Sequence, residues 1–339
     1  MSDNPLQNIF LPIQQDLELV NLKISKECQN VHSHLLEELL AHTFSVRGKL
    51  LRPAITICAA ALSGGTRDER AILIASGLEI LHTASLVHDD IIDGGTIRRG
   101  KPTINHAWGL GEATLLGDWL LAKAFDLMVQ TSVMEIIHGM TLLTEELTEG
   151  QFLEMEISRR EGSEPEYFKM IDLKTSSIFR SACTFGGLLA SKDKTSLKKL
   201  ADFGTFFGLY FQIVDDLLDV LKEPEETLKT SGVDLGNGLK TLPILRGLHL
   251  ESLVGNEHLK RLLHSANESD HRFDLGDYLM RVGAIKSCLE TAKHYREKCD
   301  QILTSFPDSA HKTLLQSLLQ LIENQVISEP ERSHSSCSS

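Results

Sequence analysis

The sequence predicts an all-α fold in one large domain, and three observations point there. Leu, Ala, Glu and Lys dominate at helical spacing, while strand-like alternation and Asn-Gly or Asp-Gly turns are scarce. No composition break marks a domain boundary between residues 1 and 327. One aspartate spacing, D-D-x-x-D, occurs twice, each time inside an apolar helical stretch.

Taken in order, the N-terminal Met1-Ser2-Asp3-Asn4-Pro5 lacks a basic region followed by an apolar run, so no secretory signal is read. Pro53 fixes a local turn or helix start. Ser63-Gly64-Gly65 reads as a loop. Thr66-Arg67-Asp68-Glu69 has the capping-box pattern and opens a helix predicted over 67–93, roughly 40 Å at 1.5 Å per residue. Loops follow at 94–103 and at Gly162-Ser163-Glu164-Pro165. A second long helix is predicted from near Ser196 to just before Pro224, and a loop over 223–241. Residues 328–339 are Ser-rich without apolar periodicity and read as a disordered tail.

Of the 339 residues, 42% are hydrophobic and 24% charged, enough for a sizeable core. The net charge, 34 − 47 = −13, argues against a general nucleic-acid binder, and an anionic substrate would need locally concentrated Lys and Arg. The six cysteines show no C-x-x-C pair, so neither a disulfide framework nor a zinc site is suggested, and reduced thiols in a cytoplasmic setting are the simplest expectation. No run of about 18 apolar residues is read, so no membrane span is expected.

The aspartate clusters are Asp89-Asp90-Ile91-Ile92-Asp93 and Asp215-Asp216-Leu217-Leu218-Asp219. Residues four apart share a helix face, so Asp89 stacks with Asp93 and Asp215 with Asp219. Like charges at that spacing repel, and carboxylates in apolar surroundings are costly unless cations bridge them. Hard oxygen donors suit Mg²⁺, which usually also binds substrate phosphates. All six aspartates are candidate metal ligands.

Arg98-Arg99-Gly100-Lys101 follows the first cluster as a basic loop suited to phosphate. Lys49 and Arg52 are three apart, hence neighbours if helical. Lys174-Thr175 lies in a helical, mostly apolar stretch. Lys229-Thr230-Ser231-Gly232 and Lys240-Thr241 lie after the second cluster, in a spacing that matches no Walker motif. Glu79…His82 and Glu135…His138 allow a rival, a di-iron bundle, which would leave both aspartate motifs idle.

Together these motifs resemble the trans-isoprenyl diphosphate synthases, the polyprenyl synthetases, over roughly residues 45 to 245. The resemblance implies a single-domain helical bundle with a deep central apolar cavity, and a homodimer. Gly48-Lys49-x-x-Arg52-Pro53 matches a family segment and implies that Lys49 and Arg52 bind isopentenyl diphosphate, with His82 on the same diphosphate. Arg98 would face the allylic diphosphate and Arg99 the isopentenyl diphosphate. Gly150-Gln151 matches a G-Q pair, and Lys174-Thr175 a K-T pair at the allylic diphosphate. Gly208-x-x-Phe211-Gln212-Ile213-x-Asp215-Asp216-x-x-Asp219 matches the second motif, and Lys229-x-x-Gly232-x-Asp234 the following loop. Gly238-Leu239-Lys240-Thr241-Leu242-Pro243 departs from the family's G-K-x-T-L-P by one residue at its lysine.

The implied reaction is head-to-tail 1′-4 condensation of an allylic diphosphate primer with isopentenyl diphosphate. Mg²⁺ ions on the aspartates would act as Lewis acids on the leaving group. Asp89, Asp93, Lys174, Gln212 and Asp215 fall at the chemistry. Two other readings stand beside it. A class I terpene cyclase would carry Asn, Ser or Thr, and Glu in its second metal motif. A non-catalytic partner subunit would tend to have degraded aspartate motifs. Product length is read from the helix before Asp89, where Leu81, Ala84 and Ser85 would wall the growing chain. Ala84 and Ser85 are small where short-chain members of the family carry bulky aromatics, and residues 81–86 resemble the long-chain members, so the resemblance implies a product longer than C20, roughly C30 to C45, of the kind used for quinone side chains and released by peripheral contact with a membrane. Geranylgeranyl diphosphate, C20, is the alternative.

Overall fold

A computed structural model describes residues 5–333 apart from 47, 66–67, 161, 191–192, 222–240, 256 and 266–271. The all-α expectation holds. The order is α1 (Pro5–Phe10), a short 3-10 turn (Leu11–Ile13), α2 (Gln14–Glu27), α3 (His34–Thr43), α4 (Leu51–Leu62) and α5 (Glu69–Ile92). Strands β1 (Ile97–Arg98) and β2 (Lys101–Pro102) form a small antiparallel hairpin with Arg98 opposite Lys101. Next come α6 (Ile104–Ala107), α7 (Leu110–Gln130), α8 (Met134–Ser158), α9 (Glu164–Ile171), a π-helical turn (Asp172–Ser176), α10 (Ser177–Ala190) and α11 (Lys194–Leu221). The rest is α12 (Leu242–Leu253), α13 (His258–Ser265), α14 (Arg272–Arg281), α15 (Ala284–Thr304) and α16 (Ala310–Ser333).

The chain divides into two compact units, each discontinuous in sequence. The first holds Met1–Glu145, Ile178–Gly204 and Ile302–Leu318, and the second holds Glu146–Ser177, Thr205–Gln301 and Leu319–Ser339. Every internal boundary falls inside a helix, in α8, α10, α11, α15 and α16. No Pro-, Gly- or Ser-rich linker can therefore mark them in the sequence.

Within the first unit, α5 is the core helix. It buries Ala71, Ile74, Ala75, Leu78, Ile80, Leu81, Ala84 and Val87, and also Ser76, Glu79 and Asp90. Its main partner is α7, followed by α4 and α2. Gly77 permits the close approach to α7, since a methyl there would lie 2.6 Å from Met128 Cε and 3.2 Å from the Ala124 carbonyl. Burial on most sides explains a composition apolar enough to cross a membrane, with mean hydropathy 1.4 over an 18-residue window. The sequence reading of no such run is corrected here, because the average tolerates the polar residues that a strict run excludes.

Helix starts differ from expectation. α5 opens at Glu69 with Asp68 as its cap, the Asp68 carboxylate accepting from the Arg70 N–H at 2.8 Å. The box residues Thr66 and Arg67 lie outside the described residues. α11 opens at Lys194, with Asp193 accepting from the N–H groups of Thr195 and Ser196. α16 continues to Ser333, so the boundary expected at 327 falls within it. The loop expected over 223–241 lies outside the described residues except for Thr241.

In the second unit, Arg246 ties α9, α12 and α15 together. Its guanidinium donates to Glu164 at 2.6 and 3.2 Å, to Ser287 O at 2.7 Å and to Thr291 Oγ1 at 2.8 Å.

Candidate active site

The last turn of α5 carries the first motif. Asp93 N–H donates to Asp89 O at 2.8 Å, which puts these two residues one turn apart, both half-buried. Asp90 is buried and clamped by Arg98: Nε reaches both carboxylate oxygens at 2.9 Å, and Nη2 reaches Oδ1 at 2.8 Å. The hairpin delivers this arginine. Arg99 and Gly100 both take positive φ, 52° and 74°, the requirement of a tight two-residue turn. Thr103 Oγ1 bonds the Gly95 carbonyl at 2.6 Å, and Asn105 Nδ2 bonds Asp90 O and Gly95 O at 3.0 Å, fixing the hairpin to the end of α5. Burial alone would lower the Arg98 pKa. The hydrogen-bonded Asp90, with Asp89 and Asp93 nearby, outweighs it and raises it. Arg98 is thus paired with Asp90 through its Nε and Nη2.

A second cluster forms around Arg52. Leu50 sits in the left-handed region with φ of 53°, so the chain turns just before α4, and Lys49 precedes the helix as an exposed side chain. Lys49 and Arg52 are therefore not helical neighbours. The Arg52 guanidinium packs 5.1 Å from the centroid of the Phe179 ring, and its Nε is buried without a hydrogen-bond partner. Burial, offset in part by Glu79 and reinforced by Arg99, lowers its pKa to about 10. Glu79 is 7% exposed; burial raises its pKa against the pull of Arg52 and Arg99. The sequence reading met Glu79 only as half of a metal pair with His82. Its partners were hidden because they lie 27 residues before and 20 after it. Glu135 and His138 are exposed, so the di-iron arrangement does not form. His82 is half-buried and shares the Asp89 side of α5 by helical period.

The second unit carries the other motif. Lys174 and Thr175 lie in the π-helical turn Asp172–Ser176, a feature often found at functional sites. Lys174 is ion-paired with Glu154 of α8. Gly150, one turn earlier on α8, approaches so closely that a methyl would lie 2.8 Å from Lys174 N. Thr175 Oγ1 donates to Gln212 Oε1 at 2.8 Å, and Gln212 Nε2 donates to Asp216 Oδ1 at 2.8 Å. The Tyr167 hydroxyl donates to Asp216 Oδ2 at 2.6 Å. Tyr167 is 1% exposed, and its pKa is raised by burial and then by Asp216, so it stays a donor. Asp215 is half-buried and Asp219 exposed. Glu154 and Tyr167 are functional partners the sequence reading missed, since nothing local signals a contact 20 or 49 residues away. Lys229 and Lys240 lie outside the described residues.

The two motifs share a logic. Asp90 gives both oxygens to Arg98, and Asp216 gives both to Tyr167 and Gln212. Each middle aspartate is thus held in place by protein donors. The donor pairs that fit a hard cation are Asp89 with Asp93 and Asp215 with Asp219. Among the described residues no three His, Cys, Asp or Glu side chains gather around one point.

The family model described as polyprenyl synthetase matches residues 33–275. An all-trans-nonaprenyl-diphosphate synthase (geranyl-diphosphate specific) of Rhodobacter capsulatus is 30% identical, over 94% of this chain and 98% of its own length. A geranylgeranyl diphosphate synthase of Saccharolobus solfataricus is 33% identical, over 95% and 98%. The crystal structure of a polyprenyl synthase from Caulobacter crescentus complexed with calcium and isoprenyl diphosphate superposes with a TM-score of 0.86 at 29% identity, covering 94% of this chain and 97% of that one. Fold and site thus define a prenyltransferase. The chain belongs to the polyprenyl synthetase family and elongates prenyl diphosphates.

Proposed function

We propose that the enzyme condenses isopentenyl diphosphate head-to-tail with an allylic diphosphate, using Mg²⁺, to give a polyprenyl diphosphate longer than C20. The observation that carries the metal assignment is the pair of carboxylates one helical turn apart in each motif, Asp89 with Asp93 and Asp215 with Asp219. Each pair would hold Mg²⁺, whose chemistry is to neutralise the departing diphosphate as a Lewis acid.

The chain's own residues do the rest. Lys174 adds charge where it develops on the leaving group, in a position set by Glu154 and the π turn. Thr175 and Gln212 orient that side of the site. Lys49, Arg52, His82 and Arg99 bind the second diphosphate, whose prenyl double bond attacks the allylic carbon. A proton then leaves to the released diphosphate, so no protein nucleophile is required. Apolar walls keep water from the cation.

The homodimer reading is supported by large apolar side chains left exposed on α7 and α8, among them Leu115 at 70% and Met134 at 71%. The longer product is supported by the small Ala84 and Ser85. The geranylgeranyl relative keeps C20 as a second reading. Incubation with farnesyl diphosphate, isopentenyl diphosphate and Mg²⁺, followed by sizing of the dephosphorylated products, tests both. Products beyond C20 are expected. A ladder ending at C20 would favour the second reading, and no elongation would sink the assignment.

A further inference from the structure

We propose that Glu79 is a positioning residue for the isopentenyl diphosphate site, holding the Arg52 and Arg99 guanidiniums in the arrangement one diphosphate can bridge. The inference rests on the reading above that these arginines bind the second substrate. A carboxylate 7% exposed on the core helix demands a compensating partner. The groups that compensate it are Arg52 on α4 and Arg99 in the hairpin turn. Arg52 packs over the Phe179 ring while its Nε has no hydrogen-bond partner, and among the described residues Arg99 makes a long contact, 3.4 Å, to Val46 O. Like charges repel: the exposed Arg99 acts on the half-buried Arg52 in that sense, while Glu79 opposes it.

Two further observations tie Glu79 to ligand binding rather than to the core alone. Its Oε2 is buried without a partner, and the residue lines a cavity of about 580 Å³ together with Gly48, Thr83 and Arg99. Glu79 thus brings an orphaned acceptor to the cavity that Arg99 lines, and Arg52 on α4 carries a buried orphaned donor, Nε, suited to an anionic oxygen. Gly48, opening the Gly-Lys-x-x-Arg-Pro segment, also faces this trio. A methyl there would lie 2.8 Å from Glu79 Oε1 and 3.4 Å from Arg99 Nη2. A glycine at that point keeps the carboxylate and guanidinium where they are.

Glu79→Gln keeps the shape and removes the charge. It should raise KM for isopentenyl diphosphate about tenfold or more, the scale of a charged hydrogen bond. KM for the allylic primer and kcat should stay within about twofold, since these depend on other residues. Gly48→Ala should shift the same KM alone, and it serves if Glu79→Gln does not fold. Arg52→Ala is measured alongside. If it raises KM for isopentenyl diphosphate while Glu79→Gln and Gly48→Ala do not, the positioning role is overturned and the site assignment stands. If none of the three moves that KM, the site assignment itself fails. A Glu79→Gln enzyme with lower Tm and both KM values raised equally would reduce Glu79 to a structural residue and overturn the proposal, as would a lowered KM for isopentenyl diphosphate.

Discussion

Asp90 and Asp216 occupy the same place in their motifs and are restrained by different chemistry, a guanidinium in one case and a phenol with an amide in the other. Their outer neighbours should carry the metal dependence. Asp89→Ala and Asp215→Ala are each expected to lower turnover by several orders of magnitude while folding survives, because removing repelling carboxylates opens no core cavity. Near-normal Mg²⁺-dependent turnover in either folded variant would refute the ligand assignment. Tyr167→Phe should act indirectly: it strips a buried carboxylate of one donor, at a cost of about 1–3 kcal/mol. A raised Mg²⁺ requirement in a titration is the expected result, and an unchanged one would show that Asp216 does not orient its neighbours. Both aspartate motifs were legible in the sequence because their spacing is local. The roles of Tyr167, Glu154 and Glu79 were not, because each depends on a partner at least 20 residues distant.

Among the elements, the π turn and α8 form a fitted pair. Gly150→Ala would drive a methyl against the backbone at Lys174, which cannot yield as a side chain tip would. A loss of about 1–3 kcal/mol in a denaturant melt is expected, with weaker primer binding. Glu251 makes a similar joint in α12. Burial would raise its pKa, but the Leu259 N–H and the Tyr278 hydroxyl, each at 2.7 Å, bring it below the usual 4.5. A depressed carboxylate stabilises the fold above its unfolded pKa and loses that contribution as the pH falls through the folded one. The stability gap between the native chain and Glu251→Gln should therefore be full at neutral pH and shrink below about pH 4.5. A pH-independent gap would show that charge plays no part. The helices themselves were readable from apolar period. Their ends were less so: α5 opens at Glu69 and α11 at Lys194, each two residues from the expected start, because polar flanking residues carry no apolar period to mark the boundary.

For the molecule as a whole, the open quantity is product size. Replacing Ala84 and Ser85 together with Phe should shorten the product to about C15 without loss of primer binding, because both lie about one turn before Asp89. An unchanged product distribution would show that α5 does not set length. Ala84 is 2% exposed and falls on the stripe with Gly77 and His88, residues that meet α7 at Met128 and at Thr114. The two-unit organisation was invisible in the sequence for a physical reason: its boundaries run through unbroken helices, where periodicity continues undisturbed.

The core helix α5 presents Glu79, Ala84 and Asp89 in directions about 80° to 140° apart at 100° per residue. A change on the Ala84 side meets a neighbouring helix, one on the Glu79 side meets arginines, and one on the Asp89 side meets the proposed metal donors. Mutation can thus explore one direction while the others stay intact. On the proposed role of Ala84, the size of the molecule made should drift over evolutionary time by one or two codon changes, within lineages whose reaction never alters.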